Sequence, residues 1–189
     1  MDDLGLLERM RRGDEAAFAE LFARHRAAVF RYAAHMGGDG VADDVVQEVF
    51  LALLRQSSRY DARRGSLQGY LIGIARRQVL KHAAGGRATQ WIDEEDAGPA
   101  DIESPAGNPF EDLSRAEIVA RVRAAIAGLP PAFREVVVLC ELNEMDYAEA
   151  AAVIGRPIGT IRSRLHRARA LLTTALAAAV PPRVGTYAR

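Results

Sequence analysis

The chain has 189 residues, 49% of them hydrophobic, and balances 25 Lys and Arg against 25 Asp and Glu. That is enough apolar material for one large or two small cores, and a 6% aromatic content with abundant alanine favours an all-α fold. The single cysteine, Cys140, excludes an internal disulfide and a cysteine-based metal cluster, and the longest apolar run, 175–180, falls far short of the about 20 residues a membrane span needs.

The zero net charge hides a division. From Ala150 onward there is no Asp or Glu against seven arginines, and from Ala88 to Asp112 there is no Lys or Arg against eight acids. A basic end suggests a nucleic-acid partner, and the acidic stretch reads as a linker. The acidic start, Met1-Asp2-Asp3, does not read as a signal peptide, and a cytoplasmic protein without membrane insertion is expected.

A short helix is expected over 4–12. Asp14 can cap a second over 15–36, with Phe18, Leu21, Phe22, His25, Val29, Tyr32 and Met36 on its core face. Gly37-Gly38-Asp39-Gly40 ends it, and a third helix follows over 41–57. Opposite the apolar face of that third helix, Asp43 and Gln47 are four apart, as are Asp44 and Glu48. That strip is either a solvated face or a docking strip for a basic partner; periodicity leaves both open.

After a turn at 59–65, Ser66 can cap a helix over 67–83 that buries Leu67, Leu71, Ile74 and Val79 and is closed by Gly85-Gly86. Between Arg59 and Arg87 six arginines and Lys81 stand against Asp61 alone, with Tyr60 and Tyr70 among them. Cations for phosphates and rings for unpaired bases suit single-stranded nucleic acid; the competing reading makes both tyrosines boundary residues of a core. Residues 85–109 read as a flexible acidic linker with Trp91 as an apolar foothold.

Ser114-Arg115-Ala116-Glu117 has the pattern of a capping box for a helix that ends at Gly128. Pro131 begins the next, which runs to about Leu142 and buries Val136, Val137, Leu139 and Cys140. A second capping pattern, Asp146 to Glu149, opens a short helix through Ile154. Gly155 stops it, and Pro157 starts a final helix with an apolar stripe at Ile158, Ile161, Leu165, Ala168 and Leu172. A helix, a short turn and a basic helix make a helix-turn-helix.

Two blocks together resemble one family. Leu21-Phe22-Ala23-Arg24-His25 through Asp43-Asp44-Val45-Val46-Gln47-Glu48-Val49-Phe50 and on to Ile74-Ala75-Arg76 is similar to the N-terminal domain of bacterial extracytoplasmic-function sigma factors. Leu129-Pro130-Pro131 through Gly159-Thr160-Ile161-Arg162-Ser163-Arg164-Leu165-His166-Arg167-Ala168-Arg169 is similar to their C-terminal domain. The resemblance implies two small helical domains joined by a flexible acidic linker: 1–87 for core polymerase docking and the minus-ten element, 88–112 as linker, 113–178 as the helix-turn-helix domain, and 179–189 as tail. It implies that Asp43, Asp44, Gln47 and Glu48 dock on core RNA polymerase. Tyr60, Arg63, Tyr70, Arg76 and Arg77 would serve the minus-ten element of promoter DNA. Arg162, Ser163, Arg164, His166 and Arg167 would read the minus-thirty-five element. It also implies an anti-sigma factor as a partner, and no enzyme activity, cofactor or metal. The sequence departs from the family at Leu67, Tyr70, Arg77 and Lys81, which makes the minus-ten surface more basic and less aromatic, and at Ala150, where a larger apolar residue is usual. A stand-alone helix-turn-helix regulator and a sigma mimic that sequesters a regulatory partner are the alternatives; neither gives both the acidic strip and the DNA-reading arginines a purpose.

Overall fold

A computed structural model describes residues 2–84 and 115–178 of the chain. The expected linker with Trp91, the Ser114 cap, the Gly85-Gly86 stop and the tail lie outside the described residues. Among the described residues all regular structure is helical. No described helix is long and apolar enough to cross a membrane.

The N-terminal domain holds α1 (Asp3–Arg11), α2 (Glu15–Gly37), α3 (Asp39–Gln56) and α4 (Leu67–Ala84). Asp14 caps α2 by accepting the Ala17 N–H at 3.1 Å, and Ser66 caps α4 by accepting the Gly69 N–H at 3.0 Å. Gly38, at φ +88°, reverses the chain at once, so α3 starts at Asp39, two residues earlier than its apolar pattern suggests. α2 packs against α1, α3 and α4. Leu21, Val29, Tyr32, Val45, Val49, Leu53, Leu71 and Ile72 are fully buried there, each worth about 1.5–3 kcal/mol of removed apolar surface. His25 lies at the edge of this core, with its Nε2 2.8 Å from Asp3 Oδ2, which ties α1 to α2.

The C-terminal domain holds α5 (Arg115–Ala127), α6 (Pro131–Val137), α7 (Tyr147–Ile154) and α8 (Ile158–Ala178). The helix expected to run to Leu142 is α-helical only to Val137. It widens into a π turn over Val138–Leu142, where the Asn143 N–H bonds the Val138 carbonyl at 3.0 Å. Gly155, left-handed at φ +75°, makes the turn into α8. On α8, Ile161, Leu165 and Ala168 are buried, but Ile158 is 40% exposed: the stripe begins about one turn later than its spacing suggests. Ala150 is fully buried.

The two domains meet through α2 and α4 on one side and α6, the π turn and α7 on the other. At the centre is Glu135, 4% exposed. Its Oε1 accepts the Tyr32 hydroxyl at 2.6 Å and the Arg76 Nε–H at 2.9 Å. Burial opposes the charge on Arg76, but the Glu135 carboxylate outweighs it and the pKa of the guanidinium rises. Burial, and then the same carboxylate, pushes the Tyr32 phenol well above its ordinary range. Asn143 adds two bonds: its carbonyl accepts Gln68 Nε2 at 2.9 Å, and its Oδ1 accepts Arg31 Nε at 3.1 Å.

Cys140 is half-buried against the core, and burial followed by the neighbouring Glu141 charge raises its thiol to about 11. At pH 8 only about one thiol in a thousand is then ionised. Alkylation by iodoacetamide at pH 8 should therefore be at least about tenfold slower in the native protein than in urea, as mass spectrometry would measure; equal rates would contradict the placement of Cys140.

Candidate nucleic-acid interface

The loop between α3 and α4 is built from two short 3₁₀ turns, Ser57–Arg59 and Ala62–Arg64. Asp61 fixes the second: its Oδ1 accepts the Arg63 N–H at 3.0 Å, and its Oδ2 pairs with the Arg63 guanidinium at 2.8 Å. Tyr60 donates its hydroxyl to the Gly65 carbonyl at 3.1 Å, which closes the loop on itself. The ring of Tyr60 then lies 5.5 Å from that of Tyr70, tilted by 55°. Partial burial raises the Tyr60 phenol.

These rings line a recess of about 320 Å³, walled also by Arg59, Arg64 and Arg77. Two aromatic faces with three cations at the rim can stack an unpaired base and hold its phosphate. Of the five residues that the sequence assigns to this surface, Tyr60, Tyr70 and Arg77 line the recess. Arg63 stands outside it with its side chain 90% exposed, and Arg76 turns away into the domain interface, paired with Glu135. Arg59 and Arg64 take their places at the rim; both belong to the basic run, but linear order does not say which arginines the 3₁₀ turns bring together. Glu149, Ala152 and Val153 of α7 complete the recess from the other domain.

On α3, Asp43, Asp44 and Gln47 are exposed and Glu48 is half-buried, so the strip reaches solvent. Asp43 and Gln47 border a shallow apolar groove of about 390 Å³, lined by Phe18, Phe22, Phe50, Leu51 and Leu54. Phe50 packs on Phe22 at 4.7 Å and edge-on to Phe18 at 6.3 Å. The groove was hidden from the sequence because those phenylalanines share the periodicity of core residues; Phe18 and Phe22 are only half-buried.

On α8, Arg162, Ser163 and His166 are exposed, while Arg164 and Arg167 are half-buried. The Arg162 guanidinium lies 6.0 Å from the ring centroid of Tyr147 on α7, within cation–π range. Arg169 is paired with Glu141, which offsets its charge on the basic face. α8 is 21 residues long, about 30 Å, and the outer face of its N-terminal half is exposed at Arg162, Ser163 and His166.

A helix-turn-helix with a basic second helix, joined to a helical domain with a ring-and-arginine recess, defines a DNA-binding protein of two parts. Comparison with known proteins gives the family. The profile described as "Sigma-70 region 2" matches residues 21–89, and "Sigma-70, region 4" matches 119–172. The chain is 34% identical to the ECF RNA polymerase sigma factor SigE of Mycolicibacterium smegmatis, over 87% of this chain and 65% of that one, so it spans about two thirds of that relative. It is 36% identical to SigC of Mycobacterium tuberculosis, over 87% of this chain and 86% of that one. It is also similar to a solved structure of CnrH in complex with the cytosolic domain of CnrY, with a TM-score of 0.68, 28% identity and coverage of 94% of this chain and 98% of that one. RpoE in complex with the anti-sigma factor NepR, from Bartonella quintana, has a TM-score of 0.65 and 26% identity, with coverage of 85% and 96%. The chain belongs to the ECF RNA polymerase sigma factors, the family of subunits that direct transcription initiation.

The Arg63 side-chain hydrogen bond, and then the Arg63 N–H, lower the Asp61 carboxyl below its ordinary 3.8. A depressed carboxyl contributes stability that is present above its unfolded value and lost as pH falls through its folded one. The loop should therefore keep its order at neutral pH and lose this contribution only below about pH 4. In an NMR titration the Asp61 midpoint should lie below 3.8 and move up in Arg63→Ala; an unmoved midpoint would contradict the pairing.

Proposed function

We propose that this chain binds core RNA polymerase and directs it to promoters in two contacts. Region 1–87 would carry docking and minus-ten recognition, 113–178 minus-thirty-five recognition, and 88–112 the connection. The observation that carries the reading is the recess of Tyr60 and Tyr70 rimmed by Arg59, Arg64 and Arg77, since a duplex-only regulator has no use for a stacking site. Capture of an unpaired base there offsets a few kcal/mol of unstacking.

Docking falls to Asp43, Asp44, Gln47 and Glu48, an acidic strip suited to a basic partner surface. Tyr60, Tyr70 and Arg77 hold the opened strand. Arg63 reaches backbone phosphates from the flank, and Arg76 joins them only when released from Glu135. On α8, Arg162, Ser163, Arg164, His166 and Arg167 face the minus-thirty-five duplex. An arginine bidentate to guanine discriminates by about 1–3 kcal/mol, while others fix register on phosphates. The role is one of binding, without catalytic chemistry, and is exercised in the cytoplasm. An anti-sigma factor is a fitting regulator, given that CnrH and RpoE are known in complexes with CnrY and NepR.

Purified protein added to core polymerase should start transcription at a defined promoter in vitro. Arg162→Ala and Arg167→Ala should each weaken promoter use by about 1–3 kcal/mol while co-purification with core polymerase is unchanged. Asp44→Lys with Glu48→Lys should abolish co-purification instead. Tight DNA binding without any association with core polymerase would favour a stand-alone regulator.

A further inference from the structure

The first 3₁₀ turn of the recess loop is held by a residue far away in the chain. Arg11, the last residue of α1, lies 46 positions before Ser57. Its Nε–H donates to Ser57 Oγ at 3.3 Å, and its Nη2 donates to the Ser57 carbonyl. That carbonyl also accepts the Tyr60 N–H at 3.1 Å, the bond that closes the turn. Ser57 is 7% exposed and stands at the C-terminal end of α3, where backbone carbonyls lack helical partners. A guanidinium satisfies one of them there, with a fixed charge and a rigid fork of donors.

α1 also comes near the ring itself. Burial raises the Tyr60 phenol most, and the Asp3 carboxylate at the start of α1 comes next. The same carboxylate meets His25 on α2, and Leu6, Leu7 and Met10 of α1 are buried, so α1 is seated on the core of the domain. From α4, the Tyr70 hydroxyl donates to the Gln56 carbonyl at 3.4 Å. Gln56 and Ser57, just before Tyr60, are thus held by both α1 and α4. α1 precedes the segment 21–89 that the region 2 profile covers.

We propose that Arg11 is a positioning residue for the minus-ten recess: by holding Ser57, it sets where the Tyr60 ring stands against that of Tyr70. The proposal rests on the reading of that recess as the strand-binding site. Arg11 acts through Ser57 and not on the DNA. Without it the turn keeps its Tyr60 N–H bond but loses its tie to α1. The Tyr60 ring then samples positions in which an unpaired base cannot rest against both tyrosines. A site that is ready a tenth of the time binds about tenfold more weakly.

The test uses the full chain assembled with core polymerase, on a promoter duplex from which the wild-type holoenzyme starts transcription. Permanganate oxidation of unpaired thymines reads strand opening. Arg11→Ala should co-purify with core polymerase as the wild type does, yet open the promoter about tenfold less. In the free chain, nuclear Overhauser contacts between the Tyr60 and Tyr70 rings should weaken. The salt dependence of initial promoter binding should keep its slope, because a lost phosphate contact lowers that slope by about one. Ser57→Ala removes one acceptor and should act in the same direction but more weakly, with no further loss when combined with Arg11→Ala. Unchanged opening by Arg11→Ala overturns the proposal. So does a slope lowered by about one with the ring contact intact, which makes Arg11 a phosphate contact. Tyr60→Ala separates the two claims. If it opens the promoter as the wild type does, the reading of the recess fails. If it loses opening while Arg11→Ala keeps it, the positioning role alone fails.

Discussion

One buried carboxylate sets the arrangement of this molecule. Glu135 comes from α6, yet it is satisfied by Tyr32 of α2 and Arg76 of α4. A charge this deep is tolerated only with a partner and further hydrogen bonds; removing one member of such a buried pair typically costs about 3–5 kcal/mol. The remaining exposure of the Arg76 side chain, 23%, puts this case at or below the lower end. The pair gains little over an apolar contact, but it fixes which face of α6 meets the N-terminal domain. The π turn ends at Asn143, whose Oδ1 and carbonyl add bonds to Arg31 and Gln68 of the N-terminal domain.

From that joint the two proposed nucleic-acid surfaces take their different characters. α8 projects its basic N-terminal half clear of the joint, held from behind by Ile161, Leu165 and Ala168. The 57–66 loop lies beside it, so its ring pair is walled on one side by α7. Among the described residues the charges are thus divided in space. Acids at 43–48 form an exposed strip, and arginines gather at the recess and along α8. Glu135 and Glu149 answer two of the most basic places from within.

Local signals in the sequence were read where the governing forces are local. Asp14, Ser66 and Asp146 cap the helices that their positions announce, and the period of Leu67, Leu71, Ile74 and Val79 gives the buried face of α4. Two-domain helical architecture and the helix-turn-helix followed from the same signals. What escaped depends on residues distant in the chain. Arg76 looks like one more cation of a basic run until Glu135, 59 positions later, claims it. Glu135 itself carried a hint, being the one acid in the stretch 133–139 that is otherwise mostly apolar, but nothing local names its partners. Glu149 had a local role available as a capping residue, but its carboxylate accepts the Ser66 N–H of the other domain at 3.2 Å. Ile158 matched the apolar period and is exposed, because periodicity counts residues without knowing which neighbours cover them.

The most direct measurement is a structure of this protein bound to core RNA polymerase and an opened promoter. An unstacked base should then lie against Tyr60 and Tyr70, with the N-terminal half of α8 in a major groove. A complex in which neither tyrosine ring meets a base, or in which α8 lies off the DNA, would contradict the account.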